Sequence, residues 1–169
     1  MIESLDRRRF LRAEFTSGRA VVRPPWSIPE TEFLDRCTRC GECIEQCETG
    51  ILEAGDGGFP EVNFQRGECS FCRACIGRCA PGAIGQHIDS PWTLRAVLDS
   101  STCLAARGVL CALCVDQCPT RAIRFLPQRA ISIPRFDLSA CTGCGACIAP
   151  CPVSALSLHA LPTENIPCT

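Results

Sequence analysis

The chain lacks lysine and tyrosine altogether, and it has few aromatic residues and no long apolar run. Because lysine is absent, all 17 lysine-or-arginine positions are arginine, and a mechanism through a lysine Schiff base is excluded. Since no run of 18 apolar residues occurs, the sequence predicts no membrane-spanning helix. The arginines form no basic stripe of the kind that binds nucleic acid, so nucleic acid is not an expected partner. Two tryptophans and eight phenylalanines in 169 residues leave only a thin core of large side chains.

Cysteine, in contrast, is abundant, and 16 of the 17 cysteines fall into four groups of four. Groups one, two and four have the spacing C-x2-C-x2-C-x3-C, whereas group three has C-x7-C-x2-C-x3-C. This spacing is typical of 4Fe–4S binding in bacterial ferredoxins, where three thiolates on a tight loop surround one side of a cubane and the fourth binds the neighbouring cluster. The predicted iron ligands are Cys37, Cys40, Cys43 and Cys47 in group one; Cys69, Cys72, Cys75 and Cys79 in group two; Cys103, Cys111, Cys114 and Cys118 in group three; and Cys141, Cys144, Cys147 and Cys151 in group four.

Group three departs from the others because seven residues, 104–110, separate its first two cysteines. Cys103 must therefore reach back across a loop to act as a ligand. The sequence predicts four 4Fe–4S clusters, or three if group three is not a standard site. Cys168 belongs to no group and is expected to be a free thiol.

Two other uses of cysteine fit this pattern less well. A secreted disulfide scaffold does not need a fourfold repeat of one spacing, and four cysteines within 11 residues are poorly placed for disulfide geometry. Structural zinc takes pairs of cysteines from separated segments. Here each pair is followed at once by a third and a fourth cysteine, so iron–sulfur binding is the better interpretation.

The regular spacing of the groups predicts the fold class. Intervals of 21, 23 and 22 residues separate successive groups, which indicates an internal repeat. We expect an α+β fold made of two tandem bacterial ferredoxin-like modules with short hairpins and short helices. Residues 27–90 would form the first module and 91–161 the second, after a basic N-terminal arm (1–26) and before a tail (162–169). The clusters should act as packing centres, so that cluster binding is coupled to folding.

Local patterns predict the secondary structure between the cysteine groups. Residues 51–54 and 61–64 flank a glycine-rich turn and are typical of a hairpin. A second hairpin is expected from 122–126 and 130–133. The segment 92–98 is expected to be a short helix that connects the two modules.

Sharing of cysteines between groups leaves two pairing schemes open. In the adjacent scheme, groups one and two exchange their fourth cysteines, as do groups three and four. In the nested scheme, group one pairs with group four and group two with group three. The interval lengths are too similar to separate the schemes, and both use the same sixteen thiolates.

The sequence of the N-terminal arm helps to predict the cellular compartment of the protein. Residues 7–12 (RRRFLR) resemble the twin-arginine export pattern, but Glu14, Arg19 and Arg23 interrupt the stretch that follows. That stretch cannot serve as the apolar region of a signal. We therefore expect a cytoplasmic protein, in a compartment where thiolates stay reduced.

No residue of this chain is predicted to be catalytic. His87 and His159 are isolated and are expected to be ordinary surface residues, because a Rieske-type site would need paired histidines in place of cysteines. Serine and aspartate form no triad or carboxylate pair, so the sequence does not favour an enzyme.

In these features the chain resembles the NapF ferredoxin-type proteins of periplasmic nitrate reductase systems. The resemblance runs over nearly the full length. It rests on the arginine-rich start, the segment RPPW at 23–26, the stretched third group, and the fourth group with its CTGCGAC motif at 141–147. The RPPW segment and the stretched group are far more specific than the cubane spacing.

The resemblance implies a cytoplasmic iron–sulfur accessory protein. Its partner would be the catalytic molybdenum subunit of periplasmic nitrate reductase, which it would bind as a precursor before export. Its role would be to help that subunit mature and not to turn over nitrate. The alternative is an electron-transfer ferredoxin that relays electrons between redox partners. The sequence has no flavin or nicotinamide fingerprint, although many carriers also lack one.

Overall fold

The computed structural model describes residues 21–85, 90–125 and 133–160. The helices are α1 (Glu30–Arg36), α2 (Glu42–Glu45), α3 (Ala74–Arg78) and α4 (Leu113–Asp116). The strands are β1 (Leu52–Ala54), β2 (Pro60–Val62), β3 (Leu94–Leu98), β4 (Ile123–Phe125), β5 (Pro134–Phe136) and β6 (Leu156–Ala160). Within these ranges the strands pair antiparallel, β1 with β2, β3 with β6 and β4 with β5. The arm up to residue 20, His87, Cys168 and the tail lie outside the described residues.

The first predicted hairpin is confirmed. Strands β1 and β2 pair with Leu52 opposite Val62, and a short 3₁₀ turn, Asp56–Gly58, joins them. Gly57 has a φ of 65° and Gly58 a φ of 80°, which is backbone that glycine adopts without steric cost. Leu52 and Val62 are both buried, so the inner face of the hairpin packs against the core.

The predicted helix at 92–98 is wrong, because this segment forms β3. Strand β3 pairs with β6 over its full length, with Leu94 opposite Ala160 and Leu98 opposite Leu156. Burial alternates along β3, since Leu94 and Ala96 are buried while the residues after them are more exposed. Short apolar runs of this kind fit a strand as well as a helix, and pairing with a distant segment decides between them.

The second hairpin is displaced from its predicted position. Strand β4 lies within the predicted 122–126, but its partner begins later, at Pro134, with Ile123 opposite Phe136. Proline cannot donate a hydrogen bond to the ladder, so within sheets it is restricted to positions such as the first residue of a strand, where Pro134 lies. Residues 126–132, which include most of the predicted second strand, lie outside the described residues.

The same turn follows the fourth cysteine of every group. The residue three positions later has positive φ in each case, and its N–H donates to the carbonyl of that cysteine at 3.0–3.2 Å. These residues are Gly50, Gly82, Arg121 and Ser154. The cysteine repeat is therefore also a repeat of backbone conformation, even where the residue is not glycine.

Replacing Ser154 by glycine is expected to raise the free energy of unfolding by about 0.5–1 kcal/mol. Left-handed backbone costs about 1–2 kcal/mol for a non-glycine residue, and part of this gain is lost to the extra conformational freedom of glycine. Gly82→Ser is the reverse control, since a Cβ at Gly82 would meet nothing within 4 Å. It should lower stability by a similar amount. Anaerobic chemical denaturation of the iron-loaded protein measures both, and destabilisation by Ser154→Gly would contradict the argument.

Residues on the two sides of positions 86–89 pack against one another. The backbone N–H of Trp26 donates to the carbonyl of Pro91 at 2.8 Å, and the ring of Trp92 lies 5.7 Å from that of Phe64 and 5.8 Å from that of Phe71. Trp92 also donates its indole N–H to the carbonyl of Thr142 at 3.1 Å. The two cysteine-rich segments thus share one hydrophobic core.

Candidate metal centres

The structure gathers the cysteines around cavities. Three cavities are each lined by four cysteines. The first is lined by Cys37, Cys40, Cys43 and Cys79; the second by Cys47, Cys69, Cys72 and Cys75; and the third by Cys103, Cys111, Cys114 and Cys151. Each cavity takes three cysteines from one group and the fourth from the adjacent group, and none of the three is lined by nested groups.

Group three therefore has a cavity lined by four cysteines despite its insertion. Cys103 is buried, and it lines this cavity together with the cysteines that follow the insertion. The loop is long enough to return the chain to the cavity. A site with only three nearby thiols is thus not what the fold presents at this position.

The cysteines of group four lie close enough together to affect the pKa of Cys147. Burial raises the pKa of Cys147 to about 12, with further contributions from the neighbouring Cys144 and Cys141. Cys118, the remaining member in the adjacent scheme, packs partly buried against the same core. Three of the four thiols therefore interact directly.

Burial, with a further contribution from neighbouring thiols, raises cysteine pKa values in the other cavities as well. Burial, followed by the charges of Cys37 and Cys79, raises the pKa of Cys43 to about 12. Burial likewise raises the pKa of Cys69 and Cys114 to about 11. Four thiolates cannot be held this close without a compensating positive charge. The donor set therefore fits a metal cluster, which binds thiols in the deprotonated form.

Backbone amides donate to several of the sulfur atoms. The N–H of Ile84 lies 3.3 Å from Sγ of Cys79, and the N–H of Ala155 lies 3.2 Å from Sγ of Cys151. Such donors stabilise the thiolate form of a cysteine. These two cysteines are the fourth members of groups two and four. The amides therefore hydrogen-bond to the cysteines that, in the adjacent scheme, would bind the cluster of the neighbouring group.

Left-handed residues flank the second cysteine of three groups. They are Arg39 and Gly41 in group one, Phe71 and Arg73 in group two, and Gly143 and Gly145 in group four. The three glycines adopt positive φ without steric cost, whereas the same conformation at the non-glycine residues could not be predicted from residue type. Successive turns of this kind direct backbone N–H groups to one side and create an anion-binding concavity.

A buried hydrogen-bond donor without a partner lies beside the second cavity and indicates that an acceptor binds there. Trp26 is 4% exposed and lines the second cavity, and its indole N–H has no hydrogen-bond partner among the described residues. A buried unpaired donor is costly and usually signals a missing acceptor. A sulfur atom held in the second cavity would supply that acceptor. Sequence reasoning did not single out this N–H, although Trp26 belongs to the RPPW segment.

The spread of the thiols fits a cluster better than a single ion. Within the described ranges, no group of three or more histidine, cysteine, aspartate or glutamate residues is close enough to hold one metal ion. In a cubane each thiolate binds a different iron, so the four ligands surround the cluster instead of converging on one point. The four-thiol cavities have this arrangement.

The remaining candidate residues do not join these sites. His159 lies on β6, where its Nε2 is 2.9 Å from the hydroxyl of Ser157 on an exposed face. In the part of the chain that the structure describes, no helix has the length and apolar character needed to cross a membrane.

Comparison with known proteins gives a consistent result. The family model of the 4Fe–4S dicluster domain matches residues 36–83 and 109–155, so that Cys103 precedes the second match. The chain is 42% identical to ferredoxin-type protein NapF of Escherichia coli K12, over 92% of this chain and 96% of that protein. It is 40% identical to ferredoxin-type protein NapF of Haemophilus influenzae, over 95% and 97%. Methylamine utilization ferredoxin-type protein MauM of Methylobacillus flagellatus is 31% identical, over 91% and 74%.

Proposed function

The chain belongs to the family of NapF ferredoxin-type iron–sulfur proteins, and we propose that it is an accessory protein for a molybdenum enzyme. In this proposal it acts in the cytoplasm, where it binds the catalytic subunit of periplasmic nitrate reductase before export. It helps that subunit to mature, and it does not itself turn over nitrate. Family membership supports the link to nitrate reduction.

We further propose that all sixteen grouped cysteines bind iron in the adjacent scheme, giving four 4Fe–4S clusters. Bound clusters supply one-electron redox chemistry and a transferable unit of iron and sulfide. Two tandem modules, 27–90 and 91–161, would hold two clusters each. The pairing of β3 with β6 supports the second module, because it joins the first and last strands of that segment.

The observation that carries the proposal is the presence of three cavities, each lined by four cysteines, in a chain of this family. The cavities lie near the surface. Cys40 and Cys72, the second cysteines of groups one and two, are exposed, so a partner protein could approach within contact distance of both sites. Access of this kind suits either electron or cluster donation to another protein.

One contact favours the alternative function, an electron relay. The backbone N–H of Cys69 donates to the carbonyl of Cys144 at 2.8 Å, which brings the loops of groups two and four together. The two pairs of sites would then be connected through the middle of the molecule. A continuous series of redox centres is what a relay between two partners requires.

Capture of the unexported catalytic subunit tests the accessory role. The tagged protein, isolated anaerobically from cells that contain the reductase, should retain the precursor subunit with its export signal. Cells that lack this protein should accumulate a catalytic subunit deficient in its own iron–sulfur centre. If the subunit in those cells is fully loaded and only its supply of electrons is lost, the relay is the correct function.

A further inference from the structure

We propose that the third cavity is the exchangeable site, from which a 4Fe–4S cluster leaves this protein for an acceptor with free cysteines. The inference rests on the proposed accessory function and adds the site through which that function operates. Four differences between group three and the other groups support it.

The first difference is in the backbone of the loop. In groups one, two and four, left-handed residues flank the second cysteine on both sides. In group three the residue after Cys111 is Ala112, with φ −127° and ψ 3°, and the described residues 110 and 112 both lack positive φ. The anion-binding concavity of the other loops is therefore missing. Among the described residues the third cavity keeps one backbone N–H bonded to a ligand sulfur, as the other two cavities do, so the difference lies in the conformation of the loop around Cys111.

The second difference is in the packing of the cysteines. The third cysteine is the buried one in groups one, two and four, where Cys43, Cys75 and Cys147 all belong to the main core. In group three the buried cysteine is Cys103, which belongs to a separate small core with Ala105 and Ala155. The fully buried part of this core consists of three small side chains, with Leu98 and Phe125 packed partly buried against it, so it buries less apolar surface than the main core does.

The third difference, which separates group three from groups two and four but not from group one, is in the hydrogen bonds that anchor the loops. Loop two is bonded to loop four through Cys69, and loop four is bonded to Trp92 through Thr142. The backbone N–H groups of 103–109 that are bonded donate only to carbonyls within 99–105. Opening of the insertion therefore breaks no backbone hydrogen bond to a distant segment among the residues that the structure describes.

The fourth difference is the exposure of the side chains around the third cavity. Leu110, beside Cys111, is 87% exposed, and Val109 is 50% exposed. Leu113 and Val153, which line the cavity, are 44% and 37% exposed. Because these apolar groups contact water instead of protein, local opening forfeits few contacts. Low-stability segments of this kind are where proteins open most often.

Transfer from the site is an exchange of ligands. Four bonds between iron and the sulfur atoms of this chain break, and four bonds to the acceptor's thiolates form. The acceptor's thiols lose protons, and the thiolates left in the third cavity gain protons. No iron changes oxidation state, so the exchange requires no oxidant or reductant.

Partial removal of iron from the wild-type holoprotein tests the proposal directly. The protein is treated anaerobically with a ferrous-iron chelator until about one quarter of its iron is lost, then alkylated with iodoacetamide and mapped by mass spectrometry. The four cysteines of the third cavity should carry the label, with Cys168 labelled from the start as an internal control. Labelling of the first cavity before the third, or equal labelling of all cavities, overturns the proposal.

Matched variants provide a second test. Cys103 and Cys43 are equally buried, 8% and 9% exposed, so Cys103→Ala and Cys43→Ala are comparable changes. The rapid phase of iron release should disappear in Cys103→Ala and persist in Cys43→Ala. The opposite result overturns the proposal, and if either variant does not fold, the wild-type labelling decides. Equal release with successful capture of the precursor rejects this inference alone. Rapid release from the third site without capture rejects the accessory function alone.

Discussion

Removal of iron and sulfide is expected to abolish the tertiary structure of this protein. The described helices have four to seven residues and the strands three to five, and elements this short do not persist alone in water. Cys43, Cys75 and Cys147 belong to the main core, so empty cavities remove contacts from the core itself. Structural zinc contributes about 10–16 kcal/mol in small domains, which is as large as the whole stability of about 5–15 kcal/mol of a typical domain.

Near-UV circular dichroism of the reduced, iron-free chain measures this effect, because Trp26 and Trp92 are both packed against other aromatic rings. The signal should be lost and should return on anaerobic reconstitution with iron and sulfide. The reconstituted protein should contain about sixteen irons, four for each proposed site. Cys168→Ser is the control and should bind the same amount. A native near-UV spectrum without iron contradicts the prediction, and about twelve irons would show that one site is not of the standard type.

Gly145→Ala is expected to lower the free energy of unfolding by about 3–4 kcal/mol or to prevent folding. Gly145 has a φ of 87°, where a side chain costs about 1–2 kcal/mol. A Cβ at this position would also overlap the ring of Phe64, which is held in place by Trp92. Overpacking in a fixed core costs a further 1–3 kcal/mol, roughly. The iron content should fall as well, because Gly145 follows the predicted ligand Cys144 directly.

Two variants separate the overlap from the backbone cost. Gly82 also has positive φ, 72°, but nothing lies within 4 Å of a Cβ there, so Gly82→Ala should cost only about 1 kcal/mol. Adding Phe64→Leu to Gly145→Ala should restore part of the lost stability by making room for the methyl group. Chemical denaturation of the iron-loaded proteins gives the comparison. If Gly145→Ala is no worse than Gly82→Ala, the close packing of Phe64 does not matter for stability.

Much of the site could be predicted because thiol spacing is itself the constraint. Three cysteines on one tight loop can only surround one side of a cluster, and the same loop recurs in groups one, two and four. The structure then separates the adjacent scheme from the nested one for three cavities, which equal intervals could not do. It also brings Cys103 to the third cavity across its insertion.

What the sequence could not predict depends on contacts between distant segments. The pattern of 92–98 has no preference between helix and strand until β6 is placed beside it. Trp26 became a candidate for contact with a cluster only when its N–H was found buried without a partner in the described part of the chain. Arg39 and Arg73 adopt left-handed backbone that their residue type disfavours. Their guanidinium groups lie over the rings of Phe59 and Trp26, which helps to hold the loops in that conformation.

The position of Trp92 has a consequence for how the protein can be divided. Its ring contacts Phe64 and Phe71 from the first segment, while its indole N–H is bonded to Thr142 in the second. A fragment that ends at residue 90 would expose the faces of both phenylalanine rings that Trp92 covers, and a fragment that begins there would lack the surface against which Trp92 packs. Neither half keeps this contact alone, so we expect each half to be less stable as a fragment than within the whole chain.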